Sequence, residues 1–339
     1  MNWNWIKNIA VISMGTLLLS ACNAEGSQEE NPQKKVEVSG VQSEADAVEN
    51  VDFPATVTVG DKEVTIEEKP MRILPLSLDG AEIILDLVDP ARVLAISKSV
   101  VDPMLSTHSD AGELIKDRFA SATNIDPEQI LAYDTDLLLL TKMHGQEADA
   151  DQILSQAGIP ILSFETTKTL QEFMDNINVI GHAVGEKEKA QRMVADMQKE
   201  IESIQAKIPA DAVAPTVLVL SEVGPGTGPY VLGPTNISYD IIKLAGGTPA
   251  VDLIGLDRTT KAEVEQVIKM DPNHLFLLDW QGNGEETYKE LMESPGWNTL
   301  QAVRNNNITI MEVKYLMNPN KDNIYGLNIM TDTIHGLTK

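Results

Sequence analysis

Apolar and polar positions change rhythm along this chain. ATVTV (55–59) and KEVTI (62–66) alternate around Gly60-Asp61, which predicts two short strands joined by a turn. After Pro70 the pattern becomes a succession of elements. RILPLS, RVLAIS, DLLLLT and IPILSF are short apolar runs and predict strands. DGAEIILDLV, opened by Asp79, predicts a helix, as do DPEQILAY and ADADQILSQAG. Asp126 followed by Pro127 suits a helix N-cap and first position, and Gly158 suits a helix end. Several strands are unbroken apolar runs, as expected where both faces are buried. The alternation predicts a mostly parallel sheet with helices on both sides.

A long helical tract follows. Leu170, Phe173, Ile177, Ile180 and Val184 are spaced three and four apart, and Gly185 interrupts them. Met193, Met197, Ile201, Ile204 and Ile208 resume the stripe, with the two methionines read as core. A continuous helix from Glu186 to Lys207 would be roughly 33 Å long at about 1.5 Å per residue. After Pro215 a second series begins. TVLVLS, HLFLLDW and ITIMEV predict strands, while SYDIIKLAGG, KAEVEQVIKM, GWNTLQAVRNN and DNIYGLNIMTDTIHGL predict helices. The expected fold class is therefore α/β, with two lobes, each a mostly parallel sheet flanked by helices, on either side of the long helical tract. One sentence of the sequence occurs in both lobes: EQILAYDTDLLLL (128–140) and EQVIKMDPNHLFL (265–277) align without a gap at an offset of 137 residues.

Composition narrows the function. The 339 residues carry a formal net charge of -25, which excludes a general nucleic-acid binder, because phosphate neutralisation needs clustered Lys and Arg. The charge also opposes an electrostatic hold on anionic lipid, and its plain meaning is solubility. The single cysteine, Cys22, rules out a disulfide within the chain and any multi-cysteine metal site. Its setting matters more. Lys7, an apolar run from Ile9 to Ala21, and Leu19-Ser20-Ala21 before Cys22 resemble a bacterial lipoprotein signal, with the apolar run short for a span of about 20 residues. That resemblance implies cleavage before Cys22, lipidation of its sulfur, and export to the outer face of the cytoplasmic membrane. In a Gram-positive cell this is the cell surface. Residues 23–52 are polar and charged and read as a leash between lipid and domain.

The signal, KPMRILPLSLDGAEIILDL, DPEQILAYDTDLLLLT, the mid-chain helix, DIIKLAGG and EVEQVIKMDPNHLFLL occur in this order. Together they resemble the substrate-binding proteins of ABC importers for ferric siderophores, haem and cobalamin, from about residue 53 onward. The resemblance implies a signal peptide at 1–21, a lipidated Cys22 with linker to 52, an N-terminal lobe at 53–169, a connecting helical segment at 170–208 and a C-terminal lobe at 209–339. It implies a ligand cleft between the lobes and a small closure motion, because one stiff helix resists hinge bending. It also implies that Glu128 and Glu265, one on each lobe tip, dock onto arginines of a permease dimer. A carboxylate in a helix's first turn is favoured by the helix dipole and can accept a bidentate guanidinium. Two departures bear on the ligand contacts. The family's Ser-Pro-Ser-x-Thr-Glu loop is here Ser77-Leu78-Asp79-Gly80-Ala81-Glu82, and the Gly after its helix is replaced by Asp89-Pro90.

Ligands of open α/β sheets bind beyond the carboxyl ends of strands. That rule selects Ser77–Asp79, Lys98–Ser106, Thr141–Gln146 and Phe164–Thr167 in the first lobe, and Glu222–Tyr230, Trp280–Gly284 and Tyr315–Lys321 in the second. Candidate contacts are Ser77, Asp79, Met104, Thr141, Met143, His144 and Phe164, with Tyr230, Trp280 and Met317 opposite. Trp280 could stack on a planar ligand or cap the core. Tyr230 could bond a chelate or pack in its loop. His144 with a methionine would suit haem. With only six arginines, the chain favours a neutral or cationic ligand over a strongly anionic catecholate complex. The expected cargo is an Fe(III)-siderophore of hydroxamate type, with haem or cobalamin as alternatives; no cofactor or metal site of the protein's own is expected, and the chain is expected to be monomeric. A zinc or manganese binder would gather histidines, but His108, His144, His182, His274 and His335 are scattered. A secreted enzyme lacks support too: no Gly-x-Ser-x-Gly elbow, Walker loop or His-Glu-x-x-His is present, and GPGTGP (224–229) reads as a structural turn.

Overall fold

In the computed structural model, residues 53–120, 127–142, 153, 154, 156, 158–224 and 226–337 are described, and they all belong to one compact unit spanning Glu49–Lys339. Strands β1 (Ala55–Val59) and β2 (Lys62–Ile66) form the expected antiparallel hairpin, with Gly60 at φ +59° making the turn. The first lobe is built on β3 (Ile73–Pro75), β4 (Ala95–Ser97), β5 (Asp117–Phe119), β6 (Leu137–Lys142) and β7 (Ile161–Glu165). β3, β6 and β7 pair in parallel, and so do β4 and β5. The N–H of Leu94 donates to Ile73 O at 2.9 Å and ties the two sets side by side.

The second lobe has β8 (Thr216–Ser221), β9 (Tyr230–Val231), β10 (Thr248–Pro249), β11 (Thr260–Lys261), β12 (His274–Asp279) and β13 (Ile308–Glu312). Its order is β11-β9-β8-β12-β13, with β10 beside β8. β8, β10, β12 and β13 run parallel, while β9 and β11 form an antiparallel margin. The two-residue pieces are too short to show any period, so β9–β11 were not legible in the sequence. Alternate residues explain the apolar runs. Val217 and Val219 enter one core, whereas Leu218 and Leu220 enter another on the opposite face. Likewise Leu137 and Leu139 face one core and Leu138 and Leu140 the other.

Helices α1 (Leu78–Leu87), α2 (Ser109–Gly112), α3 (Pro127–Leu131), α4 (Leu170–Ala183), α5 (Lys187–Gln205), α6 (Ser238–Leu244), α7 (Val264–Met270), α8 (Lys289–Met292), α9 (Gln301–Arg304) and α10 (Asn323–Ile334) flank the sheets. Ser77, not Asp79, caps α1: its Oγ accepts the Gly80 N–H at 3.3 Å, and Asp79 already lies inside the helix. Asp89-Pro90 opens a short 3-10 turn, Pro90–Arg92, with Asp89 Oδ1 accepting the Ala91 N–H. The segment KAEVEQVIKM is helical only from Val264, because Thr260–Lys261 is drawn into β11, and GWNTLQAVRNN is a 3-10 turn followed by α9. Asp126 and most of ADADQILSQAG lie outside the described residues.

The connector is slightly shorter than expected. α5 holds 19 residues, about 28 Å at 1.5 Å per residue. Gly185, at φ +75°, closes α4: the N–H of Glu186 donates to Gly181 O (2.7 Å) and that of Gly185 to His182 O (3.3 Å), which satisfies the helix's last carbonyls and turns the chain into α5. Ala190, Met197, Ile201 and Ile204 bury the inner stripe of α5, and Met193 leans on it. The largest core includes residues of both lobes and of α4, α5 and α10.

Candidate functional site

The carboxyl ends of β3 and β6 bring Ser77, Asp79 and Thr141 together. Ser77 Oγ and Thr141 Oγ1 are 3.1 Å apart, and Thr141 Oγ1 donates to the Asp79 carboxylate at 2.9–3.0 Å. Because Thr141 has one proton, Ser77 is the donor between the hydroxyls, and the order Ser77 to Thr141 to Asp79 follows. Ser77 and Thr141 are buried and Asp79 is half-buried, so the carboxylate ends a hydroxyl chain at the surface of the first lobe. Phe164, by contrast, is buried in the large core that includes residues of both lobes. Met143 and His144 lie outside the described residues.

On the second lobe, Trp280 and Met317 are brought together by a residue that sequence patterning does not single out. Ser221, the last residue of β8, accepts the Trp280 indole N–H at 2.9 Å and donates to Met317 Sδ at 3.3 Å. Asn236 Nδ2 holds the Met317 carbonyl at 3.2 Å. Tyr230 stands opposite Ser221 in the β8–β9 pairing and is half-buried. The neighbouring loop is tied down from within: Asp279 accepts the N–H groups of Gln281, Asn283 and Gly284 at 2.8–3.1 Å. Buried Glu222 accepts the Gly226 N–H at 2.9 Å, which orders the loop containing GPGTGP. Beneath this wall the hydroxyl of fully buried Tyr288 lies 2.9 Å from Leu220 O and 2.7 Å from Leu278 O, bracing β8 against β12. Burial pushes its phenol well above the ordinary range, so it stays a donor.

The loops after β4 and β13 meet each other. The Lys314 N–H donates to Met104 O at 3.1 Å, Lys314 Nζ to Pro103 O at 2.7 Å, and Asn318 Nδ2 to Leu105 O at 3.2 Å. Met104 thus sits at a seam between lobes. Behind it, Lys321 Nζ donates to Asp86 Oδ1, and His108 Nε2 lies 3.1 Å from the same atom without hydrogen-bond alignment. Burial raises the Asp86 carboxyl, but His108 and then Lys321 outweigh it and hold the group below its ordinary value. One turn earlier, Glu82 is fully buried and accepts from Ser106 Oγ and from Thr107. Burial prevails there and pushes its carboxyl up. None of Arg72, Arg92, Arg118, Arg192, Arg258 and Arg304 lies in the strand-end loops. Among the described residues, no three His, Cys, Asp or Glu side chains converge as a metal site.

Glu128 and Glu265 are both exposed, and each is the second residue of its helix. Asp134 and Asp271, at the same offset, both adopt left-handed backbone, at φ +50° and +36°. Asp136 and Asn273 each bond back to the neighbouring strand: Asp136 accepts the Arg72 N–H at 3.0 Å and Asn273 Oδ1 the Thr216 N–H at 2.8 Å. The two copies of the repeated sentence are equivalent pieces of the two lobes, down to the bonds that seat them beside β3 and β8.

Known proteins agree with this architecture. A family model described as "Periplasmic binding protein" matches residues 73–315. An uncharacterised ABC transporter substrate-binding lipoprotein of Bacillus subtilis is 22% identical over 330 residues, covering 96% of each chain. An iron-uptake system-binding protein of the same organism is 23% identical over 313 residues, covering 91% of this chain and 92% of its own. A periplasmic haem-binding protein of Roseiflexus sp. RS-1, solved in apo form, shares the fold with a TM-score of 0.67 at 22% identity, over 78% of this chain and 98% of that one. With most of its length matched by the family model, this chain belongs to the periplasmic binding protein family.

Proposed function

We propose that this protein is the lipid-anchored solute receptor of an ABC importer. It captures a chelated metal or metal cofactor between its lobes and passes it to a permease dimer, with no catalysis of its own. The cargo that fits best is a neutral or cationic Fe(III)-hydroxamate complex. The supporting observation is the pair of walls at the strand ends: a carboxylate at the end of a hydroxyl chain on one lobe, an indole and a thioether on the other, and no arginine in any strand-end loop. A strongly anionic chelate would meet Asp79 with no guanidinium to balance it. Haem or cobalamin is the second reading, favoured by the half-buried Trp280 ring, which offers a planar ligand a face. The protein is held at the outer face of the cytoplasmic membrane through lipid on Cys22, which lies outside the described residues; the lipoprotein relative supports this placement.

Delivery runs through Glu128 and Glu265. Their matched helix positions on equivalent pieces of two lobes suit a permease with two matched arginine sites. A helix-start preference alone would stabilise by less than about 1 kcal/mol and would require neither exposure nor matched placement. The double substitution Glu128→Lys with Glu265→Lys is expected to abolish cellular uptake while ligand affinity, read by tryptophan fluorescence, stays unchanged. Wild-type uptake in that variant would end the docking assignment.

A further inference from the structure

Ser221 lies in none of the loops expected to touch a ligand, yet it holds two residues that do lie in them. Its side chain is fully buried at the end of β8. A hydroxyl has one proton and two lone pairs, and both roles are filled: the oxygen accepts from Trp280, and the proton goes to the Met317 sulfur. Trp280 and Met317 come from different loops and have no other side-chain hydrogen bond among the described residues. Separate bonds hold the chain beside each of them: Asp279 accepts the N–H of Gln281, the residue after Trp280, and Asn236 donates to the Met317 carbonyl. Both side chains are half-buried, lean on the core and expose their remaining surface at the carboxyl end of the sheet.

We propose that Ser221 is a positioning residue for ligand recognition. It sets the plane of the Trp280 ring and turns the Met317 sulfur inward, so the wall meets the ligand's carbon skeleton with an indole face and thioether carbons and supplies no sulfur to a metal. This rests on the ligand-binding reading above. A chelate with an exposed aliphatic or planar organic surface fits such a wall, whereas a bare ion does not. Without the hydroxyl, the indole N–H loses its buried partner and both side chains must be ordered by the ligand at each binding event.

The test follows the indole resonances of the 15N-tryptophan-labelled full chain, together with titrations of three probes: ferrichrome, haem and cyanocobalamin. Trp280→Phe assigns the Trp280 signal, and buried Trp297 serves as internal control. In Ser221→Ala the Trp280 signal is expected to move while that of Trp297 stays, and the probe that wild type binds is expected to weaken by about threefold to tenfold. Ser221→Thr, which keeps a hydroxyl, is expected to restore both. Should Ser221→Ala fail to fold, Trp280→Phe, which keeps a ring but removes the donor, is expected to show a comparable loss of affinity. An unmoved Trp280 resonance, an unchanged affinity, or an equal loss in Ser221→Thr overturns the positioning role. A wild-type chain that binds none of the probes overturns the ligand reading instead, and the resonance then decides the positioning role alone.

Discussion

Asp86 and Glu82 are carboxyls one helical turn apart on α1, yet their surroundings drive them in opposite directions. Glu82 accepts from Ser106 and Thr107, and burial outweighs those bonds and the pull of His108 and raises it. Asp86 is also desolvated, but His108 and then Lys321 outweigh burial there and lower it. The sign of the linkage follows. A carboxyl held below its unfolded value of about 3.9 stabilises the fold in full above that pH and loses its contribution as pH falls through the folded value. The difference in thermal midpoint between wild type and Asp86→Asn should therefore shrink as pH falls below about 4, where the carboxylate takes up its proton. A gap that widens below about pH 4 would contradict the assignment. The partners of these two carboxyls were not legible in the sequence. Glu82 stood out only as the last residue of the Ser77–Glu82 segment, and nothing local indicated that residues near 106–108 and at 321 would cover it and Asp86.

At the scale of the element, α4 and α5 show how one small side chain decides a packing geometry. A Cβ built on Gly181 would stand 2.2 Å from Ala190 Cβ, closer than any real contact, so the two helices touch almost backbone to backbone. Alanine is ordinarily the better helix former by about 1 kcal/mol. Here the clash outweighs that gain, since over-packing typically costs about 1–3 kcal/mol. Gly181→Ala is therefore expected to lower the urea midpoint with an unchanged denaturant slope, and a stabilised variant would refute the close crossing. At the other end of α4, Thr169 and Glu172 form a reciprocal capping box. Existence and type of the long elements were legible because burial imposes their period. Boundaries shifted by a few residues where a tertiary bond, such as the β9–β11 pairing, competed with helix propensity.

Across the whole molecule, the lobes are tied by more than the connector. The 103–105 loop bonds the 314–318 loop, Lys321 bonds Asp86, and Asp240 of the second lobe accepts the N–H of Leu170 at the start of α4 at 3.0 Å. A core shared by both lobes and a stiff helix beside these bonds leave little room for hinge motion. Small-angle scattering with and without ferrichrome, once that probe is shown to bind, should give the same radius of gyration within error. A clear contraction on binding would argue for a looser hinge.

The sequence by itself determined the α/β class, the two lobes and the long helix, because each is written in the spacing of apolar residues, and the repeated sentence, which is written in residue identities, polar Glu, Gln and Asp among them. It also marked Ser77, Asp79, Thr141, Trp280 and Met317 as strand-end residues. Only the tertiary structure decided which of these touch: Ser221 joins Trp280 and Met317 across gaps of 59 and 96 residues, and Thr141 reaches Asp79 across 62. Polar partner choice depends on where strand ends arrive in space and on single protons and lone pairs. Hydrophobic periodicity carries no record of either.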